Sequence, residues 1–365
     1  MVSIDAVRSA IAGVKYPEID RSLVELGLVQ TRVDGGRVVF DVDLTTPASP
    51  HRADVDRALR AAALAVPGVT ELEIRWNPLV RSREIPLDDP VPGVKNVVLV
   101  LSGKGGVGKS SVAVNVSVAL ARAGAAVGLL DADLYGPSIP TMMGIQGRPR
   151  ATAQKKIEPL LRSGVKLMSI GFLLEDDRTA VIWRGPMLHG ALLQFVADVE
   201  WGKLDYLVLD LPPGTGDVAI TLSQRVRTTG ALMVTTPQEV ALADVYKAVA
   251  MCQKVDIPIL GVVENMASFV CPHCRQSSVL FGSGGGARVA EFAAAPLIGQ
   301  IPLDPLVGVW GDKGTPVVEA EPESTVAQAF TRTAEALAAR ITLLHYGRLG
   351  TLAPVKQKAR LPILR

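Results

Sequence analysis

The nine residues from Ser102 to Ser110, Ser-Gly-Lys-Gly-Gly-Val-Gly-Lys-Ser, constrain this chain more than any other stretch. They follow the apolar run VVLVL at 97–101 and precede a helix-compatible segment from about Ser110 to Ala123. Gly103-x-x-x-x-Gly108-Lys109-Ser110 has Walker A spacing, the mark of a phosphate-binding loop. Its glycines let backbone N–H groups turn inward around phosphate oxygens, and the helix N-terminus adds partial positive charge. In that geometry Lys109 bridges the β and γ phosphates and the Ser110 hydroxyl ligates Mg²⁺. A chance glycine turn is the bland alternative, and the strand before it and helix after it argue against that.

Four further apolar runs, AVGLL at 126–130, YLVLD at 206–210, ALMVT at 231–235 and ILGVV at 259–263, alternate with helical stretches. Short strands buried on both faces point to a parallel sheet in an α/β domain. The expected fold class is therefore α/β, a P-loop NTPase with a mostly parallel sheet flanked by helices, over residues 96–345. A small α+β domain is expected before it, over residues 1–83. There, Val29, Thr31 and Val33 alternate up to Asp34-Gly35-Gly36, and Val38, Phe40, Val42 and Leu44 alternate beyond it, a hairpin signature. A short helix-compatible stretch at 3–14 precedes the hairpin. A helix from Ala53 to Ala65 ending at Pro67-Gly68 and a strand from Val69 to Trp76 follow it. Residues 84–95, rich in proline and charge, are expected to be a linker, and residues 346–365 a solvated basic tail.

At 365 residues the chain exceeds what one core usually holds. Thirty-eight basic against 36 acidic residues give a net charge of +2, too little for a broad nucleic-acid-binding field. No run approaches the roughly 18 apolar residues of a membrane span. Asp5, Arg8 and Lys15 interrupt any secretory core near the N-terminus. With three cysteines, an odd count that suits a reducing compartment, the expected location is the cytoplasm, without nucleic-acid or membrane partners.

Carboxylates occur at strand ends, where α/β sheets place their sites. Asp131 and Asp133 follow AVGLL; alone, Asp-x-Asp suggests a turn or cap, but here it lies one βα unit beyond the phosphate loop. Asp210 ends YLVLD in the manner of a Walker B acid that holds Mg²⁺ through water, and Gly214 and Gly216 beyond it would permit a γ-phosphate-sensing switch. Asn265, in VVENMASF, carries an amide suited to adenine, although asparagine at a strand end is also a common turn former. Cys271-Pro272-His273-Cys274 places two thiolates where they can grip one metal or one edge of a cluster. One chain then supplies half of a four-thiolate set. A zinc knuckle shared between subunits, a redox pair and two inert thiols are the competing readings, and His273 is poorly placed to join both cysteines on one ion. Cys252 lies in a helical stretch and is expected in the core.

K-G-G-V-G-K-S resembles the deviant Walker A motif of the MinD/ParA-type ATPases. That resemblance implies an ATP-sandwiched homodimer in which Lys104 reaches the partner's nucleotide. Taken in order, KGGVGKS, DADLYGPS, DLPPGTGD and ENMASFVCPHC closely resemble the Mrp/ApbC family of iron-sulfur cluster carrier ATPases, from about Asn96 to about Arg340. The first 83 residues resemble the small iron-sulfur-assembly domain that often precedes this ATPase. They hold no cysteine, so partner docking is expected of them rather than cluster binding.

The resemblance implies nucleotide contacts from Gly103, Lys104, Gly105, Gly106, Val107, Gly108, Lys109, Ser110 and Ser111. Asn265 or its neighbour would meet the adenine, with Pro302 and Asp304 in a loop closing over the ring. Mg²⁺ would fall to Ser110, Asp131 and Asp210, water orientation to Asp133, and catalysis to Asp133, Lys104 and Lys109. Paired Cys271 and Cys274 would hold a labile [4Fe-4S] cluster between two subunits. Its hydrolysis would be slow and regulatory, and its partners apo iron-sulfur proteins and cluster scaffold proteins. Two readings of other classes stand beside it. One is a MinD/ParA-like positioning or partition switch, which the glycine- and proline-interrupted tail suits poorly. The other is a zinc-bridged structural dimer that binds ATP without turnover.

Overall fold

The computed structural model describes residues 2–133, 136–173, 185–214, 217–271, 274 and 276–347. Its N-terminal part runs α1 (Ile4–Ile11), β1 (Lys15–Tyr16), β2 (Arg21–Ser22), β3 (Val29–Asp34), β4 (Arg37–Leu44), α2 (Arg52–Leu64) and β5 (Glu71–Pro78). β3 and β4 form the expected hairpin, antiparallel from Val29↔Val42 to Asp34↔Arg37, with Gly35 at φ +58 in the turn. α2 then crosses over so that β5 pairs parallel to β4. The inward residues of β4, Val38, Phe40 and Val42, are fully buried with Val7 and Ile11 of α1 and Leu59 of α2.

The second part continues with β6 (Val94–Ser102), α3 (Lys109–Arg122), β7 (Val127–Asp131), α4 (Ile139–Met142), β8 (Leu160–Arg162), β9 (Val165–Ser169), α5 (Gly185–Asp198) and β10 (Leu204–Asp210). It ends with α6 (Asp217–Arg225), β11 (Gly230–Thr235), α7 (Glu239–Lys254), β12 (Ile259–Val270), β13 (Ser277–Ser278), α8 (Gly285–Phe292), β14 (Leu297–Leu303), α9 (Pro305–Asp312), α10 (Val317–Ala320) and α11 (Thr325–His345). Among the described residues the strands form a nine-stranded sheet of order β13-β12-β11-β6-β10-β7-β9-β8, with β14 also on β12. β6, β7, β9, β10, β11, β12 and β14 are parallel, whereas β8 and β13 are antiparallel additions. Every residue of β7 and β11 is buried, as strands covered on both faces must be. No helix among the described residues is long and apolar enough to cross a membrane.

Three features depart from the sequence expectations. The proline-rich linker is anchored by charge: Arg83, just before it, and Asp89, within it, 3% and 0% exposed at their side chains, form a two-contact ion pair, with Nη2 2.9 Å from Oδ1. The Arg83 amide also donates to the Lys95 carbonyl, and β6 begins at Val94, inside the expected linker. Second, IPLD at 301–304 is not a loop: Ile301 to Leu303 finish β14, and Asp304 caps α9 by accepting from the Leu306 amide at 2.9 Å. Third, the end of α11 packs into the N-terminal core through Leu343 and Tyr346, with the Arg81 guanidinium 3.9 Å over the Tyr346 ring. The rest of the expected tail, from Arg348, lies outside the described residues.

Removing one partner of a buried ion pair strands the other charge. Arg83→Ala is therefore expected to lower stability by about 3–5 kcal/mol in urea unfolding, whereas Arg83→Met with Asp89→Leu should recover most of the loss. Equal losses in the single and double variants would refute this reading of the linker.

Candidate functional site

β6 delivers the chain to the phosphate loop, and α3 leaves from it. Gly106 and Gly108 take φ +80 and +79, a region that disfavours side chains, so the loop can turn its amides inward only with glycine there. A Cβ at Gly106 would meet nothing within 4 Å, so the cradle is open on that side. At Gly103 the loop rests on α7: a Cβ would lie 2.3 Å from the Asp244 carbonyl carbon and the Val245 nitrogen. Gly103, Val107 and Lys109 are buried, Lys104, Gly108, Ser110 and Ser111 half-buried, and Gly105 and Gly106 exposed.

Asp210 gathers the loop's polar side chains. Its Oδ1 lies 2.6 Å from Lys109 Nζ, and its Oδ2 accepts from Ser110 Oγ at 2.6 Å. Asp210 and Asp131 are register partners on adjacent strands, which sets two fully buried carboxylates side by side. Burial, and then the neighbouring Asp210, push the Asp131 carboxyl up to about 7. Three donors oppose that shift: Ser169 Oγ at 3.0 Å, the Asp133 amide at 3.2 Å and the Ile139 amide at 3.3 Å. Burial also raises Asp210, against the pull of Lys109. Asp210 pairs with Lys109, whereas Asp131 beside it accepts from neutral donors, so the pair of acids is short of positive charge. A divalent cation suits such a site, and the oxygen donors of Ser110 and Asp210 are of the kind Mg²⁺ takes. The Asp131 oxygens already accept from Ser169 and two amides, which leaves them less open to a metal ion than those of Asp210.

The loop after β10 is tied to the phosphate loop, because the Gly214 amide donates to the Ser102 carbonyl at 2.9 Å. Gly214 has φ +105, while Gly216 lies outside the described residues. Asn265 is brought to the site in an unforeseen way. Its Nδ2 donates to the Val107 carbonyl at 2.9 Å, fastening the amide expected at the adenine onto the phosphate loop. Pro302 and Asp304 sit at the end of β14 and the start of α9. Ser169 was missed by the sequence reading, and a lone serine at the end of the short strand VKLMS carries no signal that could have found it.

β12 runs on past Asn265 and pairs with β13 through Phe269↔Ser278 and Val270↔Ser277. Cys271 opens the connection of this hairpin, its amide donating to the Gln276 carbonyl at 3.0 Å. Cys271 is half-buried and Cys274 exposed, while Cys252 is fully buried on α7 as expected. Pro272 and His273 lie outside the described residues. Among the described residues no group of three or more His, Cys, Asp and Glu side chains could hold a metal ion.

Residues 93–338 match the model of a family described as the NUBPL iron-transfer P-loop NTPase. The chain belongs to that family. Residues 4–74 match a second family model, described as an iron-sulfur cluster assembly protein. The chain is 47% identical over 354 residues to a protein of Deinococcus radiodurans named iron-sulfur cluster carrier protein, covering 96% of this chain and 99% of that one. A protein of the same name from Escherichia coli strain K12 is 40% identical over 347 residues, 93% and 94% of the two chains. Among solved structures, a nucleotide-binding protein of Archaeoglobus fulgidus in complex with ADP superposes with a TM-score of 0.57. It is 39% identical and matches 66% of this chain and 96% of that one. The match to this iron-transfer family spans the parallel sheet, the phosphate loop and the cysteine hairpin together.

Proposed function

We propose that this protein is an ATP-dependent iron-sulfur cluster carrier. It binds Mg-ATP at the phosphate loop, hydrolyses it slowly as a switch, and passes a [4Fe-4S] cluster, its cargo, to apoproteins. The observation that carries the reading is the placement of Cys271 and Cys274 on a hairpin that directly extends β12, the strand whose Asn265 holds the phosphate loop. Relatives named iron-sulfur cluster carrier proteins match nearly the whole chain, both domains included.

In this reading Lys109 leaves Asp210 for the β and γ phosphates, and the loop amides from Gly105 to Ser111 hold the remaining oxygens. Mg²⁺, when bound by Ser110 and Asp210, would neutralise charge developing on the phosphates. Asp133 orients the attacking water, and Lys104 reaches the nucleotide of a second copy. Cys271 and Cys274 contribute two thiolates, and a second copy contributes the other two. The resulting homodimer would work in the cytoplasm, receiving clusters from scaffold proteins, with the cysteine-free N-terminal domain docking partners. Transfer to an apo acceptor enzyme tests the proposal. Acceptor activation should require the cluster-loaded protein and should change with Mg-ATP; a loaded protein that activates no acceptor under any nucleotide condition would overturn it.

A further inference from the structure

Resting on the nucleotide and cluster reading above, we infer that Asn265 is a positioning residue that makes the cysteine hairpin sense the state of the phosphate loop within one subunit. The Val107 carbonyl that accepts from Asn265 and the Gly108 N–H belong to one planar peptide, and the two groups point in opposite directions. Holding the carbonyl on Asn265 therefore fixes the direction in which the Gly108 N–H faces the cradle. The contact is tight: a Cβ at Gly108 would lie 2.2 Å from Asn265 Nδ2 and 3.8 Å from Met266 Cε. Phosphate arriving at that N–H must either accept this peptide orientation or turn it. Turning it moves the carbonyl that Asn265 holds.

The strand is built to pass such a displacement on. Met266, next in sequence, has φ +56, a left-handed conformation that strains a non-glycine residue. Pairing with β14 shifts here as well: Asn265 faces Ile301, but the next partners are Phe269 and Leu303, so four steps on β12 oppose two on β14. A bulge of this kind loosens the ladder and lets the strand bend locally. Beyond it β12 rejoins β14 at Phe269↔Leu303, pairs briefly with β13 through Phe269 and Val270, and leads directly into Cys271. Five residues thus separate the amide on the phosphate loop from the first thiol, the strained Met266 among them. The coupling requires no second subunit.

Alkylation of the full-length, cluster-free protein by iodoacetamide tests the inference, with mass spectrometry reading Cys271 and Cys274 separately. Cys252 is fully buried, with its thiol pushed up to about 12, and serves as the internal silent control. Saturating non-hydrolysable Mg-ATP analogue should change the rate at Cys271 or Cys274 at least about fivefold, the lower end of ordinary coupling between sites. Asn265→Ala and the isosteric Asn265→Asp, each titrated to its own saturation, should show the nucleotide-free rate throughout. A wild-type-sized response in these variants would overturn the inference. An unaltered protein that takes up nucleotide without any change at either thiol would overturn it too, while leaving the nucleotide site intact. One that takes up no nucleotide would remove the functional reading beneath it. Should the variants fail to fold, hydrogen exchange in the unaltered chain decides: nucleotide should alter protection of amides 266–271, and unchanged protection there contradicts the inference.

Discussion

Replacing Lys109 by alanine is expected to reduce ATP turnover by at least about a hundredfold, the usual cost of losing a preorganised charge at a reacting phosphate. It should also abolish delivery of a cluster to an apo acceptor while leaving reconstitution of the cluster possible, because the thiols lie on a separate hairpin. A stability effect accompanies the kinetic one. Lys109 is 6% exposed and Asp210 fully buried, so the substitution strands the Asp210 carboxylate, at a cost of about 3–5 kcal/mol in the nucleotide-free protein. The combination Lys109→Ala with Asp210→Asn removes that stranded charge and should restore most of the lost stability without restoring turnover. Phosphate release and urea unfolding measured on the same preparations separate the two effects. Turnover within tenfold of the parent in Lys109→Ala would contradict the assignment of this lysine.

Cys271→Ser, and separately Cys274→Ser, should eliminate the visible-range absorbance of anaerobically reconstituted protein. The thiolate is the ligand form of cysteine, and each chain presents two cysteines on the hairpin. With one of them replaced, a symmetric pair of chains offers two thiolates in place of four. Cys252 cannot substitute, because burial on α7 keeps its thiol protonated well above neutral pH. Cys252→Ser should therefore leave the absorbance intact. Undiminished absorbance in Cys271→Ser would exclude the hairpin as the place where the cluster is held.

Much of this arrangement was legible in the residues. The buried strands β6, β7, β10, β11 and the first half of β12 each hold a short apolar run, and such runs alternating with helical stretches are what a parallel sheet covered on both faces uses. The phosphate loop declared itself because its glycines and its lysine serve a geometry that tolerates few other residues. β14 was obscured because LIGQIPL places Gly299, Gln300 and Pro302 in a strand, and proline usually argues against one. The charges of the linker suggested solvent, yet its Asp89 pairs in the interior with Arg83, just before it. Contacts between distant segments carry no local signal: the end of α11 closes the N-terminal core, with Thr342 Oγ1 3.2 Å from Thr45 Oγ1. Asn265 was singled out as a residue, but its direction depends on β12 lying across β11 from β6, which side-chain chemistry alone does not reveal.

The sharing of one cluster by two chains is tested most directly by iron, sulfide and particle mass determined together on the anaerobically reconstituted full-length protein. The expected result is about two iron and two sulfide per chain, in a particle of two chains, as one four-iron cluster held by four thiolates requires. A single chain carrying four irons, or a particle whose only metal is zinc, would contradict it.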